Sequence, residues 1–574
     1  MISLLFLALV AGLVWLVLSS RRTVPGTDRG VHTLRRFLQY TFLLVALFTA
    51  GSGLGLLLKA VLPTDTLADR RATDIALGVS LTVVAVPIWG SLWRVLSHRL
   101  AVDPDERAST GWALYLVAAA TASLVLGYVQ LVEVGRWLLG LVPYASDPVA
   151  YAVVWSGSWA AHAWVLESQR WRPTGRPAPL AALAGSVVGL VGMTVGGAGG
   201  VGAGLRELYR LASGPVFIDA PMRERLGVSV VVAAIGAAVW WWHWERRALV
   251  ADRGGPWHVY VLLVGVLGGL LAAVIAGGAA LHAVLQWWIG APDAASAGVH
   301  FEVLPGAVAT ALVGTWVWWY HRSVLATGAG AVRTEPERVY GYLVSGVGLI
   351  AAAAGVTVGI MAAIQAFTPG ALATIDPQGR NTLAVALTLL LVGAPLWSAF
   401  WIRLQGEAER LGRPERRSPT RRSYLVLLFG AGSVTAAVSV AVILFVVVRD
   451  MLERQLSVTV LHDLRAAIGL TVTAGATAIY HGLVHRRDRS LIPADEAGGA
   501  PRDILLVSSD GRSLVTAVSS GTHAHVHGLH RLDLEPHAID PDRITAAITA
   551  SPYERVLVLV DEDDEVRVIP YDRG

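Results

Sequence analysis

Long apolar runs alternate with short polar connections over the first 485 residues of the chain. Runs of about 18 or more apolar residues are long enough to cross a bilayer as helices. They are continuously apolar and do not alternate with polar residues, which favours helices over the strands of a membrane barrel. The pattern predicts thirteen spans, near residues 2–19, 37–62, 74–96, 111–134, 149–167, 181–204, 227–245, 258–289, 303–321, 339–367, 381–402, 423–448 and 464–484.

The distribution of basic residues predicts the orientation of these spans. Connections after odd-numbered spans, up to residue 489, hold 26 Lys and Arg, and those after even-numbered spans hold 10. Basic loops stay on the cytoplasmic side, so we expect the N-terminus outside the cell membrane and residues 490–574 in the cytoplasm. The first run has no basic residue before it and Arg21 and Arg22 after it. This arrangement is typical of a retained span and not of a cleaved signal peptide.

An internal repeat follows the leading helix and basic segment of residues 1–34. The other twelve spans pair into six hairpins, at about 35–108, 109–178, 179–254, 255–333, 334–418 and 419–489. Most opening helices carry a tyrosine near their start, and most closing helices end in two aromatic residues four apart, followed by arginine. The tyrosines are Tyr40, Tyr115, Tyr260, Tyr342 and Tyr424, whereas the third hairpin, PLAALAGSVV, lacks one. Such regularity predicts a repeat architecture.

The closing motif P-x-W-x-x-x-W is followed by arginine in PIWGSLWR and PLWSAFWIR. With the opening arginine and tyrosine, it resembles the bacterial membrane family "domain of unknown function 5671" over about residues 35–487. The second and sixth copies depart from the motif. The resemblance implies a multi-pass membrane protein with no assigned chemistry, and it contributes no catalytic residues.

Composition narrows the class of function. Hydrophobic residues make up 54% of the 574 positions and charged residues 15%, against about 25% charged in soluble proteins. The absence of cysteine from the sequence excludes disulfides, thiol catalysis and cysteine-ligated metals. No compact basic patch predicts a nucleic-acid partner, and no phosphate loop, nucleophile elbow or triad predicts a catalytic or cofactor-binding residue. The composition therefore favours a non-catalytic membrane protein.

Polar side chains deep in the spans are rare, and such residues normally mark an ion or substrate path. The deepest histidine is His162, in WSGSWAAHAWVLE. It is interpreted either as a helix–helix hydrogen-bonding residue or as part of a proton path. A cavity between repeats, lined by His162, Gln130, Gln365, Trp240 and Trp244, would favour a transporter or channel.

Glycines recur four apart in the sixth span, GSVVGLVGMTVGGAGGVGAG, at Gly192, Gly196, Gly200 and Gly204. This spacing places them on one helix face, where another backbone can approach closely. Tight helix packing is the first interpretation, and a flexible or pore-lining helix is the second.

The last 85 residues are predicted to form a linker at 490–502 followed by a small domain. ILLVSSDGRSLVTAV predicts a β-hairpin around S-D-G-R. DPDRITAAITAS predicts a helix with Asp540 as its N-cap and Pro541 at its first position. RVLVLV, DEDDE and VRVIP predict a second hairpin. The expected order is β–β–(histidine segment)–α–β–β, an α+β domain in the cytoplasm.

The segment GTHAHVHGLH places histidines at alternate positions within this domain. In an extended strand, His523, His525 and His527 would project from one face about 6–7 Å apart. Imidazole nitrogens are zinc ligands, so the three residues are candidates for a zinc site. The alternatives are a solvated strand edge, with Ala524 and Val526 facing the core, and a pH-responsive contact with the membrane or a partner.

The sequence as a whole predicts an all-α polytopic membrane bundle with a small α+β cytoplasmic domain. The first functional hypothesis is a non-catalytic scaffold or sensor in the cell inner membrane, in contact with the lipid bilayer and with a cytoplasmic protein bound through 490–574. The second is a transporter or channel for a small or amphipathic solute. The third is a membrane enzyme with zinc at the tail histidines.

Overall fold

A computed structural model describes residues 27–63, 68–168, 170–174, 178–214, 221–251, 253–326, 334–367, 377–454, 457, 459–491, 503–509, 512–522, 524–531, 533, 540–551, 553, 555–561 and 565–571. The predicted span at 2–19 and most of the predicted linker, 492–502, lie outside these residues. By its internal contacts the chain divides into two units, 1–405 with 437–473 and 406–436 with 474–574.

Twelve long helices correspond to the predicted spans from the second to the thirteenth. They are α1 Thr27–Val61, α2 Ala68–Val102, α3 Thr110–Leu138, α4 Ser146–Glu167, α5 Ala178–Ser213, α6 Met222–Ala248, α7 Gly255–Trp288, α8 Leu304–Ala326, α9 Glu335–Phe367, α10 Pro377–Arg410, α11 Pro419–Leu452 and α12 Thr459–Ser490. Among the described residues, eleven helices are long and apolar enough to cross a membrane, and α4 is not one of them. These helices are those of a membrane protein, and the count of thirteen spans stays a prediction.

Aromatic side chains at the ends of the helices build cores within the membrane part. Trp112, Tyr115 and Tyr40 stack on one another in the first such core, with ring centroids 5.6–6.1 Å apart. Trp244 and Trp257 occupy a second core and are almost fully buried. Trp164 and Trp319 remain about 60% exposed, as residues at a membrane interface do. The aromatic residues therefore serve both as interface anchors and as packing.

Helices α5 and α6 approach closely through glycine. A methyl group added at Gly189 or Gly196 would collide with the α6 backbone, at Trp240 and at Ala233 respectively. At Gly204 the same construction meets open space. The predicted glycine face is therefore confirmed at the first part of the span, where it allows the backbones to touch.

A buried carboxylate connects the first two hairpins. Glu106 lies in the short helix Pro104–Arg107 between α2 and α3 and is 0% exposed. Tyr40 Oη donates to Glu106 Oε1 at 2.7 Å, and Arg36 Nε and Arg35 Nη2 donate to Oε2 at 3.0 and 3.2 Å. Because a buried charge is costly unless it is paired, this contact fixes the connection against α1.

The C-terminal domain is a four-stranded sheet with two helices on one face. The order along the chain is β1 Asp503–Ser508, α13 Arg512–Thr522, β2 His525–His530, α14 Pro541–Thr549, β3 Arg555–Val560 and β4 Val566–Pro570. The spatial order is β2-β1-β3-β4, with β1 parallel to β2 and β3, and β4 antiparallel to β3. Alternate strand residues, such as Ile504 and Val558, pack against Leu514, Val518 and Ile544 of the two helices.

The first predicted hairpin of this domain is wrong, because residues 512–522 form helix α13. Leu514 and Val518 stand four apart and are both buried, which is helical and not strand spacing. Parallel neighbours need a crossover connection, and α13 provides it between β1 and β2. The order is β–α–β–α–β–β, so the α+β description is corrected to a mixed, mainly parallel sheet. The second hairpin and the Asp540-capped helix are confirmed.

Candidate functional site

Three closing helices of the membrane part carry the same Trp-x-x-His spacing. The pairs are Trp159 and His162 in α4, Trp240 and His243 in α6, and Trp318 and His321 in α8. All three histidines are buried, with exposures of 5%, 4% and 1%. In each, Nδ1 lies 2.7–2.9 Å from the carbonyl oxygen four residues earlier in the same helix. A carbonyl oxygen only accepts, so Nδ1 donates, and in the neutral ring Nε2 is left as an acceptor.

The partner of Nε2 differs among the three histidines. The hydroxyl of Tyr115 lies 3.3 Å from Nε2 of His162 and donates to it. Nε2 of His321 is enclosed by aromatic rings, including Tyr260, and meets no hydrogen-bond partner among the described residues. His243 packs its ring on Gly185, where a methyl group would not fit. Only its Nδ1 is hydrogen-bonded within the described part of the chain.

A cavity of about 630 Å³ adjoins His243 between α3, α4, α5 and α6. Thr121, Trp159 and Gly185 also line it, and the Thr121 hydroxyl is buried without a hydrogen-bond partner in the described structure. Glu167 and Arg247 stand on its wall and form an ion pair with each other. The cavity is thus small, lies at the arginine-rich ends of the closing helices, and has polar side chains in an otherwise mostly apolar wall.

A second, more apolar cavity of about 740 Å³ shares Leu124, Trp159 and His243 with the first as walls. It extends along α3, α4 and α6 past Tyr128, whose hydroxyl donates to the Val232 carbonyl at 3.0 Å. The Trp159 and His243 rings lie 5.7 Å apart between centroids. An aromatic pair therefore stands between the two cavities.

A third cavity of about 930 Å³ lies between the helix pairs α5–α6 and α7–α8. Its walls are mostly glycine, alanine and valine. Arg206, Glu224 and Arg225 line it where α5 ends and α6 begins. The lining fits an apolar molecule better than an ion in water.

The structure does not gather the predicted cavity residues at one place. His162, Trp240 and Trp244 are buried in side-chain contacts, whereas Gln130 and Gln365 are half-buried. None of the five lines any of these three cavities. Trp240 and Trp244 instead belong to one aromatic core with Tyr260.

The tail histidines stand on an edge strand. His525 and His527 are exposed on the same face of β2, and His523 lies outside the described residues. Val526 between them faces the core, as the solvated-edge interpretation expects. His527 Nε2 is 3.8 Å from Asp503 Oδ1. Among the described residues, no group of three or more His, Cys, Asp or Glu could hold a metal ion. The zinc site with His523 stays a prediction.

The sheet face opposite the helices carries apolar residues in two rows. The register places Leu505, Leu557 and Ile569 side by side in one row, and Leu529, Val507 and Leu559 in the next. Leu529 is 52% exposed and Ile569 41%, and the four central residues are half-buried. The second row ends at Arg567, beside the turn that holds Asp561 and Glu565. Apolar residues on an exposed face commonly mark an interaction surface. We call these six residues the open sheet face.

Sequence reasoning missed both features. The Trp-x-x-His spacing is present in three copies in the sequence, but it overlaps the more frequent aromatic pairs four apart. The open sheet face can be recognised only when the strand order is known, and the wrong prediction of the first hairpin gave a different order.

The comparisons agree with the repeat. The family model "Domain of unknown function (DUF5671)" matches the chain three times, at 36–161, 180–315 and 338–476. Each match takes in two of the hairpins, so the family unit has four helices, twice the predicted repeat. No curated protein and no solved structure matches the chain. The three matches cover more than half of the sequence, and the chain belongs to the DUF5671 family.

Proposed function

We propose that this protein is a non-catalytic membrane scaffold that recruits a soluble partner through its C-terminal domain, on the cytoplasmic side. The observation that carries the proposal is the open sheet face. The two helices of the domain cover the other face, so six apolar residues are left for a partner to bury. Burial of apolar area is the main favourable term in association.

Charge supports a partner protein over the membrane surface as the occupant. Residues 490–574 hold 15 acidic and 7 basic side chains. Anionic headgroups repel such a domain and attract basic ones. A second copy of the same acidic domain would also be repelled. The partner we propose is therefore a basic segment of another protein.

The geometry of the face supports a particular form for that segment. The second apolar row ends at Arg567, beside the acidic turn with Asp561 and Glu565. An amphipathic helix with an apolar stripe and basic residues at one end would match both features. The basic end would lie at the turn, and the stripe would lie over Leu557 and Leu559.

The test uses the full chain in its own membrane. A photo-crosslinking residue replaces Leu557 on the open sheet face, and the control replaces Arg543, which is exposed on α14. We expect the same soluble protein to be captured repeatedly from position 557 and not from 543. Capture alone would not suffice, so two further conditions apply.

A charge introduced on the open sheet face should strongly lower the yield of the crosslink, and removal of charge from the acidic turn should lower it to a smaller extent. Leu559→Asp should lower the yield at least tenfold, whereas Thr549→Asp on the helical side should leave it unchanged. The double variant Asp561→Asn/Glu565→Gln should lower the crosslinking yield and make that yield less dependent on salt concentration. Crosslinks to lipid, to a second copy of this chain, or equally from both positions would overturn the proposal.

A further inference from the structure

The third hairpin differs from the second and fourth at one position beside its histidine. In the fourth hairpin, Tyr260 stands five residues before Gly265, the glycine that packs on His321. In the third, Leu180 stands five residues before Gly185, the glycine that packs on His243. This is the hairpin whose opening helix lacks the repeated tyrosine. In the second hairpin the tyrosine is a hydrogen-bond donor, because Tyr115 donates to Nε2 of His162. In the fourth hairpin Tyr260 packs beside His321 without bonding its Nε2.

A cavity opens next to this position, with Ala181 and Gly185 in its wall. The cavity of about 630 Å³ lies where α5 begins, beside Gly185 and His243. Its polar wall includes the acceptor Nε2 of His243, the hydroxyl of Thr121 and the ion pair of Glu167 with Arg247. Buried polar atoms without a partner are uncommon in native structures and indicate a bound group. Here the Thr121 hydroxyl is such an atom. His243, which is 4% exposed and whose Nε2 has no hydrogen bond within the described residues, lies in the same wall.

We propose that this cavity binds the hydroxyl headgroup of an uncharged, single-chain amphiphile. One hydroxyl can donate to Nε2 of His243 and accept from the Thr121 hydroxyl, which satisfies both atoms. Glu167 and Arg247 on the wall neutralise each other, so the site selects for a headgroup without net charge. The hydroxyl thus supplies the donor that Tyr115 supplies in the second hairpin.

The neighbouring cavity accommodates the apolar chain of the ligand. It has about 740 Å³, and its walls beyond Trp159 and His243 are mostly apolar and include Leu124 and Leu131. Ligand sites of about 300–1,000 Å³ with an apolar body and few polar atoms are typical of small-molecule binding. The aromatic pair lies where the headgroup meets the chain. This inference does not depend on the partner proposed for the C-terminal domain.

The experiment measures labelling of the full chain in nanodiscs. The probe is a monoacylglycerol with a photoactivatable diazirine in its acyl chain, and the matched probe is the fatty acid methyl ester of equal chain length. We expect the hydroxylated probe to label peptides of α3 and α6 about tenfold more than the ester, since hydrogen bonds to otherwise unpaired polar atoms discriminate to this extent. An excess of unlabelled monoacylglycerol should compete.

Variants separate binding from folding. His243→Phe and Thr121→Val each remove one polar atom and should each lower labelling about five- to tenfold. His162→Phe is the matched control, because its acceptor already bonds Tyr115, and it should leave labelling unchanged. If His243→Phe fails to fold, the labelling of Thr121→Val, whose side chain has nearly the same shape as threonine, is the deciding measurement. Equal labelling by the two probes, or unchanged labelling of the decisive variant, would overturn the proposal and leave water as the partner of these atoms.

Discussion

The membrane helices and the C-terminal domain bury different kinds of residue. The core of the C-terminal domain is aliphatic, with Ile504, Leu506, Val556 and Ile544 all 0% exposed. The buried positions of the helices include Glu106, His321 and several tryptophans, while many leucines and valines there are exposed. The difference follows from the solvent that each region meets.

Water drives apolar side chains into the core of the C-terminal domain, whereas lipid tails give no such drive between helices. The helices must therefore associate through close backbone packing and through polar contacts. This comparison predicts that substitutions of buried polar residues and of glycines cause the largest losses of stability in the helices. In the C-terminal domain, truncations of aliphatic side chains should cause the largest losses. Four pairs of substitutions sharpen or break it.

The largest effect is expected at Glu106. Glu106→Ala leaves Arg36 and the buried hydroxyl of Tyr40 without their carboxylate, and removing one member of a buried ion pair costs about 3–5 kcal/mol. The matched control is Glu133→Ala, whose carboxylate is 38% exposed and pairs with Arg136 three residues on. It should cost less than about 1 kcal/mol. Thermal unfolding in nanodiscs measures both, and equal effects would contradict the role of burial.

The second effect lies in the C-terminal domain. Ile504→Ala removes buried methyl groups from the core and should destabilise the domain by about 2–5 kcal/mol. Leu505→Ala, one residue on and on the open sheet face, should cost about 1 kcal/mol, because its side chain is only half-buried. Hydrogen exchange of the strand amides in the full chain reports both. A larger loss at Leu505 would mean that the open sheet face is the principal core.

The third effect tests the glycine contact between α5 and α6. Gly196→Ala places a methyl group against the backbone at Ala233, and we expect a loss of about 1–3 kcal/mol from overpacking. Gly197→Ala meets open space and should be neutral or slightly stabilising, since alanine is the better helix former. The melting temperatures of the two variants in one nanodisc preparation make the comparison. A harmless Gly196→Ala would show that the helices can separate.

The membrane helices were predictable from the sequence because each span is long and uniformly apolar. The repeat was predictable too, since Tyr115 and Tyr260 recur at matching places. The family unit of two hairpins was not predictable, because consecutive hairpins share the same aromatic residues at matching places.

The C-terminal domain and the cavity beside His243 were harder to predict for a physical reason. Leu514, Val515 and Val518 suit either a strand or a helix, and the decision came from the parallel pairing of β1 with β2, a non-local contact. Likewise, the sequence gives no hint that the Nε2 of His162 is bonded and that of His243 is not. That depends on whether a hydroxyl reaches the ring in three dimensions, as that of Tyr115 does at His162.

The smallest effect concerns charge at the surface of the C-terminal domain, at the end of β2. Arg531 donates two hydrogen bonds to Asp533, at 3.0 and 2.7 Å, and one to Asp561 at 2.6 Å. The hydrogen bonds from Arg531 lower the pKa of Asp533 to about 2. The unfolded value is about 3.9, so the folded carboxylate is the stronger acid. Its contribution to stability is complete above about pH 4 and is lost as the pH falls toward 2.

This sign gives the last prediction. Local protection of the residues around Arg531 from hydrogen exchange, corrected for the intrinsic rate, should decline between about pH 4 and pH 2. Asp533→Asn should make this decline of protection with pH less steep. Arg531→Met should do the same, because it removes the hydrogen bonds that lower the pKa of Asp533. Both side chains are at the surface, so the change should be small beside the loss expected from Ile504→Ala. An unchanged pH slope in both variants would mean that solvent screens this contact completely. The stability of the C-terminal domain would then rest on aliphatic burial alone, in sharper contrast with the helices than proposed above.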